Sequence, residues 1–261
     1  MICYPLNPDI NKICEIAVKA GEAVMSVYTS VNTEVEMKED NTPLTRADIA
    51  SHNLIKSKLE ELYPGIPVLS EEGKNIPYEL RKNWDTYWLI DPLDGTKEFV
   101  KRNGEFTVNI ALMKDSIPVI GVVYLPVKDI LYFAGKGKGA FMKDGGSAAV
   151  SISVNKDLND GVTGVRSRSH KTDEEEKMLQ RFGVTEIIYS GSSIKFCLIA
   201  EGKADVYFRA GPTSEWDTAA AQVILEEAGG KVLDATTEKT LRYNKEILLN
   251  NPFIALGGLV L

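Results

Sequence analysis

Between Trp88 and Phe99 the chain places two aspartates and a helix start within one short span. Tyr87 to Ile90 form an aromatic and aliphatic run that reads as a buried strand. The run ends on Asp91, and Pro92, which has no N–H to donate, stops it. Asp94 follows, then Gly95 and Thr96, which open a helix carrying Lys97 to Arg102. Two carboxylates are thereby expected at the carboxyl end of a strand, beside the free N–H groups of a helix start. Carboxylate oxygens bind hard cations and helix N-termini bind phosphate, so the stretch suits a metal–phosphate pair. Taken alone, Asp91-Pro92 or Asp94-Gly95 is more often ordinary turn chemistry with a solvated side chain.

Three further acidic positions share the same kind of placement. Glu71-Glu72-Gly73 closes a short strand at 66–70, Asp48 falls in the first turn of a helix, and Asp217 leads Thr218-Ala219-Ala220-Ala221 into another. Each also has a plain reading of its own: a solvated turn, an acid favouring a helix dipole, an N-cap. Asp48, Glu71, Asp91, Asp94 and Asp217 nevertheless all stand at a strand end or a helix start. Such ends gather on one rim of a layered sheet.

The elements that would position them follow from periodicity. Ile13, Ile16, Ala17, Ala20, Val24 and Val27 give an amphipathic helix over 10–28. Residues 33–38 alternate as a strand, and a polar loop precedes Thr45, the expected N-cap of a helix reaching Tyr63 with Ile49, Leu54, Ile55, Leu59 and Leu62 inward. Residues 75–82 read as a polar surface excursion. Strands at 107–113, 119–125 and 130–134, with a short piece near Ala140, are separated by tight turns, the mark of an antiparallel meander. After Gly145-Gly146-Ser147 the pattern alternates: strand 161–166, helix 173–182, strand 186–189, helix 193–201, strand 204–208, helix 215–228 and strand 231–233. The expectation is an α/β (α+β) chain of two lobes, antiparallel in the first and mixed in the second, with one site at their junction.

Composition sets the outer bounds. The 261 residues are 44% hydrophobic and 26% charged, with net charge −7, which suits a globular chain and argues against a broad nucleic-acid surface. An anionic substrate would need local positive charge from a bound metal or a few Lys and Arg. No apolar run is long enough for a transmembrane helix, and Met1 to Asp9 lack a secretory signal pattern. Three cysteines without a CxxC spacing fit a reducing cytoplasm, and two histidines form no zinc-spaced cluster with them. His52 reads as an ordinary helix residue and Cys197 as a small buried hydrophobe.

Asp91-Pro92-Leu93-Asp94-Gly95-Thr96, with Glu71-Glu72 upstream and Trp216-Asp217 downstream, resembles the signature of the magnesium-dependent, lithium-sensitive phosphomonoesterases, the superfamily of inositol monophosphatase and fructose bisphosphatase. Gly95-Thr96-Lys97-Glu98-Phe99, the segment from Lys101 to Leu112 and Gly191 to Cys197 resemble its CysQ-type 3′(2′),5′-bisphosphate nucleotidase branch more closely. The resemblance covers nearly the whole chain. It implies a layered αβαβα sandwich and one catalytic domain over 1–261, with a metal-binding lobe at about 1–150 and a substrate lobe at about 151–261. It further implies two or three Mg²⁺ ions and inhibition by Li⁺. Glu71, Asp91 and the Leu93 carbonyl would hold one ion, and Asp91, Asp94 and Asp217 a second. Glu71 and Thr96 would orient the attacking water, Asp48 would accept from Thr96, and the Gly95 and Thr96 N–H groups would cradle the phosphoryl oxygens. Ser192, Lys195 and Arg209 match positions that meet a second phosphate, with His170 near the base or that phosphate. Read without the resemblance, Lys195 and Arg209 are as readily solvated surface charge.

The implied substrate is adenosine 3′,5′-bisphosphate (PAP), with its sulfated relative PAPS beside it. An inositol monophosphatase or another sugar phosphatase with the same metal centre is the nearest rival. A nucleotide sensor without turnover would be expected to lack one of the acids, and none is missing. The chain is expected in the cytoplasm, free or peripheral on the inner membrane, as a monomer or homodimer with no polymeric nucleic-acid partner.

Overall fold

The computed structural model describes residues 8–30, 35–37, 43–73, 75–168 and 172–261. Its centre is a seven-stranded sheet of order β3-β4-β5-β6-β7-β8-β9, built from β3 (Val68–Ser70), β4 (Thr86–Asp94), β5 (Thr107–Lys114), β6 (Ile117–Leu125), β7 (Ile130–Gly135), β8 (Ala140–Asp144) and β9 (Val150–Ile152). A small antiparallel pair, β1 (Val35–Met37) and β2 (Pro43–Thr45), precedes it.

The central strands are apolar over most of their length because both faces of the sheet are covered, and successive side chains alternate between the two sides. Trp88 and Ile90 of β4, with Ile110 and Val122, pack beneath α1 (Ile10–Tyr28) and α2 (Arg46–Leu62). Tyr87, Leu89, Met113 and Val123 face the other way, against α6 (Ile194–Ala200) and α7 (Ala219–Glu227). That second core continues into Tyr207, Phe253, Ala255 and Val232 of a five-stranded sheet ordered β11-β10-β12-β14-β13. Its strands are β10 (Val162–Arg166), β11 (Val184–Tyr189), β12 (Val206–Arg209), β13 (Lys231–Asp234) and β14 (Phe253–Leu256). Its far face, Val206, Phe208, Ile254 and Leu256, packs on Leu179 of α5 (Asp173–Arg181). The layers therefore run αβαβα, as the resemblance implied.

Several details depart from the sequence expectation. The first sheet is antiparallel except at its edge, where β3 runs parallel to β4, and β9 extends it past the glycine-rich break. The second sheet is mixed as expected, with β14 as a central strand that the pattern did not reveal. Ile49 and Leu62 of α2 are exposed rather than inward. Ile55 and Leu59 are buried as expected, and Asp48, Ser51 and His52 share that inward face because the first turns of α2 face a polar region. Residues 75–82 are no loose excursion: α3 (Tyr78–Arg81) is anchored by the buried Arg81, whose Nη1 donates to Asn244 Oδ1 at 2.9 Å and Nη2 to the Glu246 carbonyl at 2.8 Å. The expected helix over 215–228 divides into a 3₁₀ turn, Glu215–Asp217, and α7, with Thr218 between them.

Candidate active site

Pro92 does not end β4. The ladder with β5 pairs Asp91 with Asn109 and resumes at Asp94 with Thr107, so two residues of β4 face one of β5. This is a bulge, and a bulge accommodates the missing N–H of Pro92 while re-aiming the flanking side chains. The turn is fixed from both sides: Asp91 Oδ1 accepts the Leu93 N–H at 3.0 Å, and Ser51 Oγ donates to the Pro92 carbonyl at 2.7 Å. Glu71 follows β3, and its N–H donates to the Ile90 carbonyl. Asp217 closes the 3₁₀ turn, where its Oδ2 accepts the Ser214 N–H at 2.8 Å. A turn after β3, a bulge in β4 and a 3₁₀ turn thus bring Glu71, Asp91 and Asp217 together, with carboxylate oxygens within 4.8 Å of one another.

Asp91 is almost fully buried. Burial raises its pKa well above the usual carboxylate range, and the charges of Glu71, Asp94 and Asp217 raise it further. Asp217 is raised in the same way, by burial first and then by Asp94 and Glu71. Three close carboxylates repel unless they hold protons or share a cation. Oxygen-only donors at this density fit a hard divalent ion, whereas a soft-metal site would offer nitrogen or sulfur.

Asp94 stands beside the triad, and its Oδ2 is engaged elsewhere. It accepts the Ser193 N–H and faces Ser193 Oγ, both at 2.7 Å, with Asn109 Nδ2 at 3.3 Å. Ser193 Oγ also lies 2.8 Å from the Asp217 carbonyl and accepts from Asn109 Nδ2 at 2.8 Å. The sequence analysis assigned Ser192 to a second phosphate and named no partner for Asp94; Ser193 and Asn109 supply that contact. The doubled serine in Gly191-Ser192-Ser193 was the available signal.

Gly95 has φ +93°, a conformation glycine adopts without penalty, and it opens α4 (Thr96–Val100), shorter than the helix expected to Arg102. Thr96 Oγ1 lies 3.3 Å from both Asp48 Oδ1 and the Leu93 carbonyl. Asp48 is buried in the capping box of α2, its Oδ2 accepting the Thr45 N–H at 2.7 Å and Thr45 Oγ1 at 2.6 Å. The Thr96–Asp48 contact implied by the resemblance is therefore present. His52 is also buried, with Nδ1 2.8 Å from Ser70 Oγ, one residue before Glu71.

The opposite wall is basic. A cavity of about 160 Å³ is lined by Asp94, Gly95, Ser192, Lys195, Arg209 and Asp217, among others. Lys195 and Arg209 are buried, so the surface-charge reading of either is overturned. Burial lowers the Lys195 pKa to about 8, with neighbouring Arg209 adding to the effect against Asp94, Glu98 and Asp217. Lys195 Nζ donates to the Ser192 carbonyl at 2.6 Å and sits 5.2 Å from the Tyr207 ring centroid. Arg209 Nη1 is 3.9 Å from Glu175 Oε1. Ser192 has φ +43°, and its Oγ lacks a hydrogen-bond partner. His170 lies outside the described residues. A larger groove of about 680 Å³ runs between α1 and β8, away from these groups.

A family model described as inositol monophosphatase family matches residues 6–259. A Salmonella typhimurium protein described as 3′(2′),5′-bisphosphate nucleotidase CysQ is 47% identical over 246 residues, covering 94% of this chain and 98% of that one. Its Haemophilus influenzae counterpart of the same description is 37% identical over 95% of this chain and 92% of that one. The crystal structure of CysQ from Bacteroides thetaiotaomicron matches with a TM-score of 0.86 and 46% identity, over 96% of this chain and 97% of that one.

Proposed function

The chain belongs to the inositol monophosphatase family, and from that premise we propose that it is a Mg²⁺-dependent 3′(2′),5′-bisphosphate nucleotidase, hydrolysing PAP to AMP and phosphate and acting also on PAPS. The observation that carries the proposal is a cavity lined by Asp94 and by Asp217, the latter one of the carboxylate triad, together with two buried cationic side chains, Lys195 and Arg209. A substrate with two separated phosphates matches that division, and the curated relatives carry the corresponding description.

Glu71, Asp91 and Asp217, with Asp94 and the Leu93 carbonyl beside them, would hold the metal. When bound, a divalent cation supplies Lewis acidity that reduces the charge repulsion between an attacking water and a phosphate ester. Glu71 and the Thr96 hydroxyl would orient that water, and Asp48 would draw the Thr96 proton toward itself so that the threonine oxygen accepts from the water. The N–H groups of Gly95 and Thr96 would hold the phosphoryl oxygens. Ser192, Lys195 and Arg209 would bind the 5′-phosphate through charge-assisted hydrogen bonds. Water would add to phosphorus as the bond to the ribose oxygen breaks, the proton that the water gives up balances the one that the ribose oxygen takes up, and no covalent enzyme intermediate is required.

In this reading the chain is one catalytic domain of two lobes that acts in the cytoplasm. Among the described residues no helix is long and apolar enough to cross a membrane. Phosphate release from PAP, PAPS, inositol 1-phosphate and fructose 1,6-bisphosphate, with and without Mg²⁺, tests the proposal. Mg²⁺-dependent release with the highest kcat/KM for PAP is expected; a higher value for inositol 1-phosphate would overturn it.

A further inference from the structure

Glu105 lies between α4 and β5 and takes part in none of the steps above, yet three groups converge on its carboxylate. Arg168, two residues past β10, donates Nε to Oε2 at 2.7 Å and Nη2 to Oε1 at 2.6 Å. The Gly191 N–H donates to Oε2 at 2.9 Å. The carboxylate therefore ties the first-sheet side of the cleft both to the end of a second-sheet strand and to the loop leading into α6.

That loop is where the two ends of the cleft meet. Gly191 packs so tightly on the Glu105 backbone that a Cβ there would lie 2.7 Å from the Glu105 carbonyl oxygen. The next residue, Ser192, holds a positive φ and offers its carbonyl to Lys195 Nζ at 2.6 Å. Ser193 then donates its N–H to Asp94 at 2.7 Å. Gly191, Ser192 and Lys195 all line the cavity. The Ser192 carbonyl belongs to the 192–193 peptide, and moving Gly191 would shift the residue that carries it and so the carbonyl that seats the lysine.

We propose that Glu105 is a positioning residue for the second-phosphate end of the cavity: by accepting the Gly191 N–H while Arg168 holds its carboxylate, it fixes the Ser192 carbonyl and through it the Lys195 ammonium. The inference rests on the reading that Lys195 meets a second phosphate. It makes Glu105 a determinant of selectivity that touches no substrate.

The side chain of Glu105 is 16% exposed and that of Arg168 49%. The test compares wild type, Glu105→Ala and Glu105→Gln on PAP and on adenosine 3′-monophosphate, which lacks the second phosphate, and measures AMP affinity in EDTA by calorimetry. Glu105→Ala should raise KM for PAP about tenfold and weaken AMP equally, with kcat and KM for adenosine 3′-monophosphate changed less than about twofold. Glu105→Gln keeps an acceptor for Gly191 and should lose about threefold or less. Equal KM changes on both substrates, no change on either, or a Gln variant as impaired as the Ala variant would each overturn the inference. Wild type that neither hydrolyses PAP nor binds AMP would overturn the proposed function, and this inference with it. Thermal midpoints of the variants identify any loss of fold.

Discussion

The two ends of the cleft solve opposite electrostatic problems with different architecture. The acidic end is assembled from irregular backbone, after β3, at the β4 bulge and in the 3₁₀ turn before α7, and its carboxylates converge within 4.8 Å. The basic end is drawn from α6 and β12, and each cation has a partner at hand: Lys195 the Ser192 carbonyl, Arg209 the Glu175 carboxylate at 3.9 Å. Burial shifts both ends toward neutrality, raising Asp91 and Asp217 and lowering Lys195. The acidic end is thereby the more frustrated of the two when empty. It has the most to gain from a ligand of opposite sign, and substitutions there should separate activity from stability most widely.

Asp91→Asn should show the largest effect. It removes the most buried acid of the triad while Asn Oδ1 can still accept the Leu93 N–H. Turnover should fall by about 10³-fold or more, the scale of losing a group that acts in the transition state. The thermal midpoint in EDTA should rise, because a buried like charge is gone. A variant that loses activity and also unfolds earlier in EDTA would show that Asp91 is a structural acid.

Metal removal comes next. Carboxylates whose folded pKa is raised retain protons that the unfolded chain has released, so their stabilising contribution is present at low pH and lost as pH rises through the raised value. In EDTA, this contribution to stability should therefore decline from about pH 4 toward neutrality. At pH 7.5, Mg²⁺ at a hundred times its Kd should restore about 2.7 kcal/mol and raise the melting midpoint by roughly 5 °C or more. Binding should also release protons in a weakly buffered titration. A midpoint unmoved by Mg²⁺ would remove the cation from the acidic end.

Lys195→Ala sharpens the contrast from the basic end. Losing one charge-assisted contact should raise KM for PAP by about 10- to 100-fold, with little change for adenosine 3′-monophosphate and a metal response like that of wild type. Equal penalties on both substrates would place Lys195 at the scissile phosphate instead.

The same division explains what could be read in advance. The five acids were legible because each marks the end of a local pattern: an apolar run stopping at Asp91, a helix cap at Thr45 ahead of Asp48, a strand closing before Glu71. The grouping of three of them, Glu71, Asp91 and Asp217, accords with the layered architecture. The partner of Asp94 was not legible, since Ser193 lies 99 residues away and only packing of the second layer brings it there. Glu105 and Arg168 were hidden for the same reason: each alone is an unremarkable surface charge. Pro92 misled because a missing N–H stops a regular ladder but is harmless at a bulge. The inward face of α2 misled because its first turns turn toward the polar site, where Asp48, Ser51 and His52 take the places a core would give to aliphatic side chains.

The smallest expected effect tests whether the two ends communicate. A lysine whose folded pKa is near 8 is charged below that value and neutral above it, so AMP affinity in EDTA should decline as pH rises through about 8. At pH 9 only about a tenth of such a group remains protonated, and the loss is bounded by that of Lys195→Ala, whose profile should be flat over this interval. Asp94 and Asp217 are among the charges that hold the Lys195 pKa up. Cations bound among the acids offset those charges, so Mg²⁺ should move the decline to lower pH. A midpoint that Mg²⁺ leaves unmoved would mean that the acidic and basic ends titrate independently, each tuned by its own burial alone.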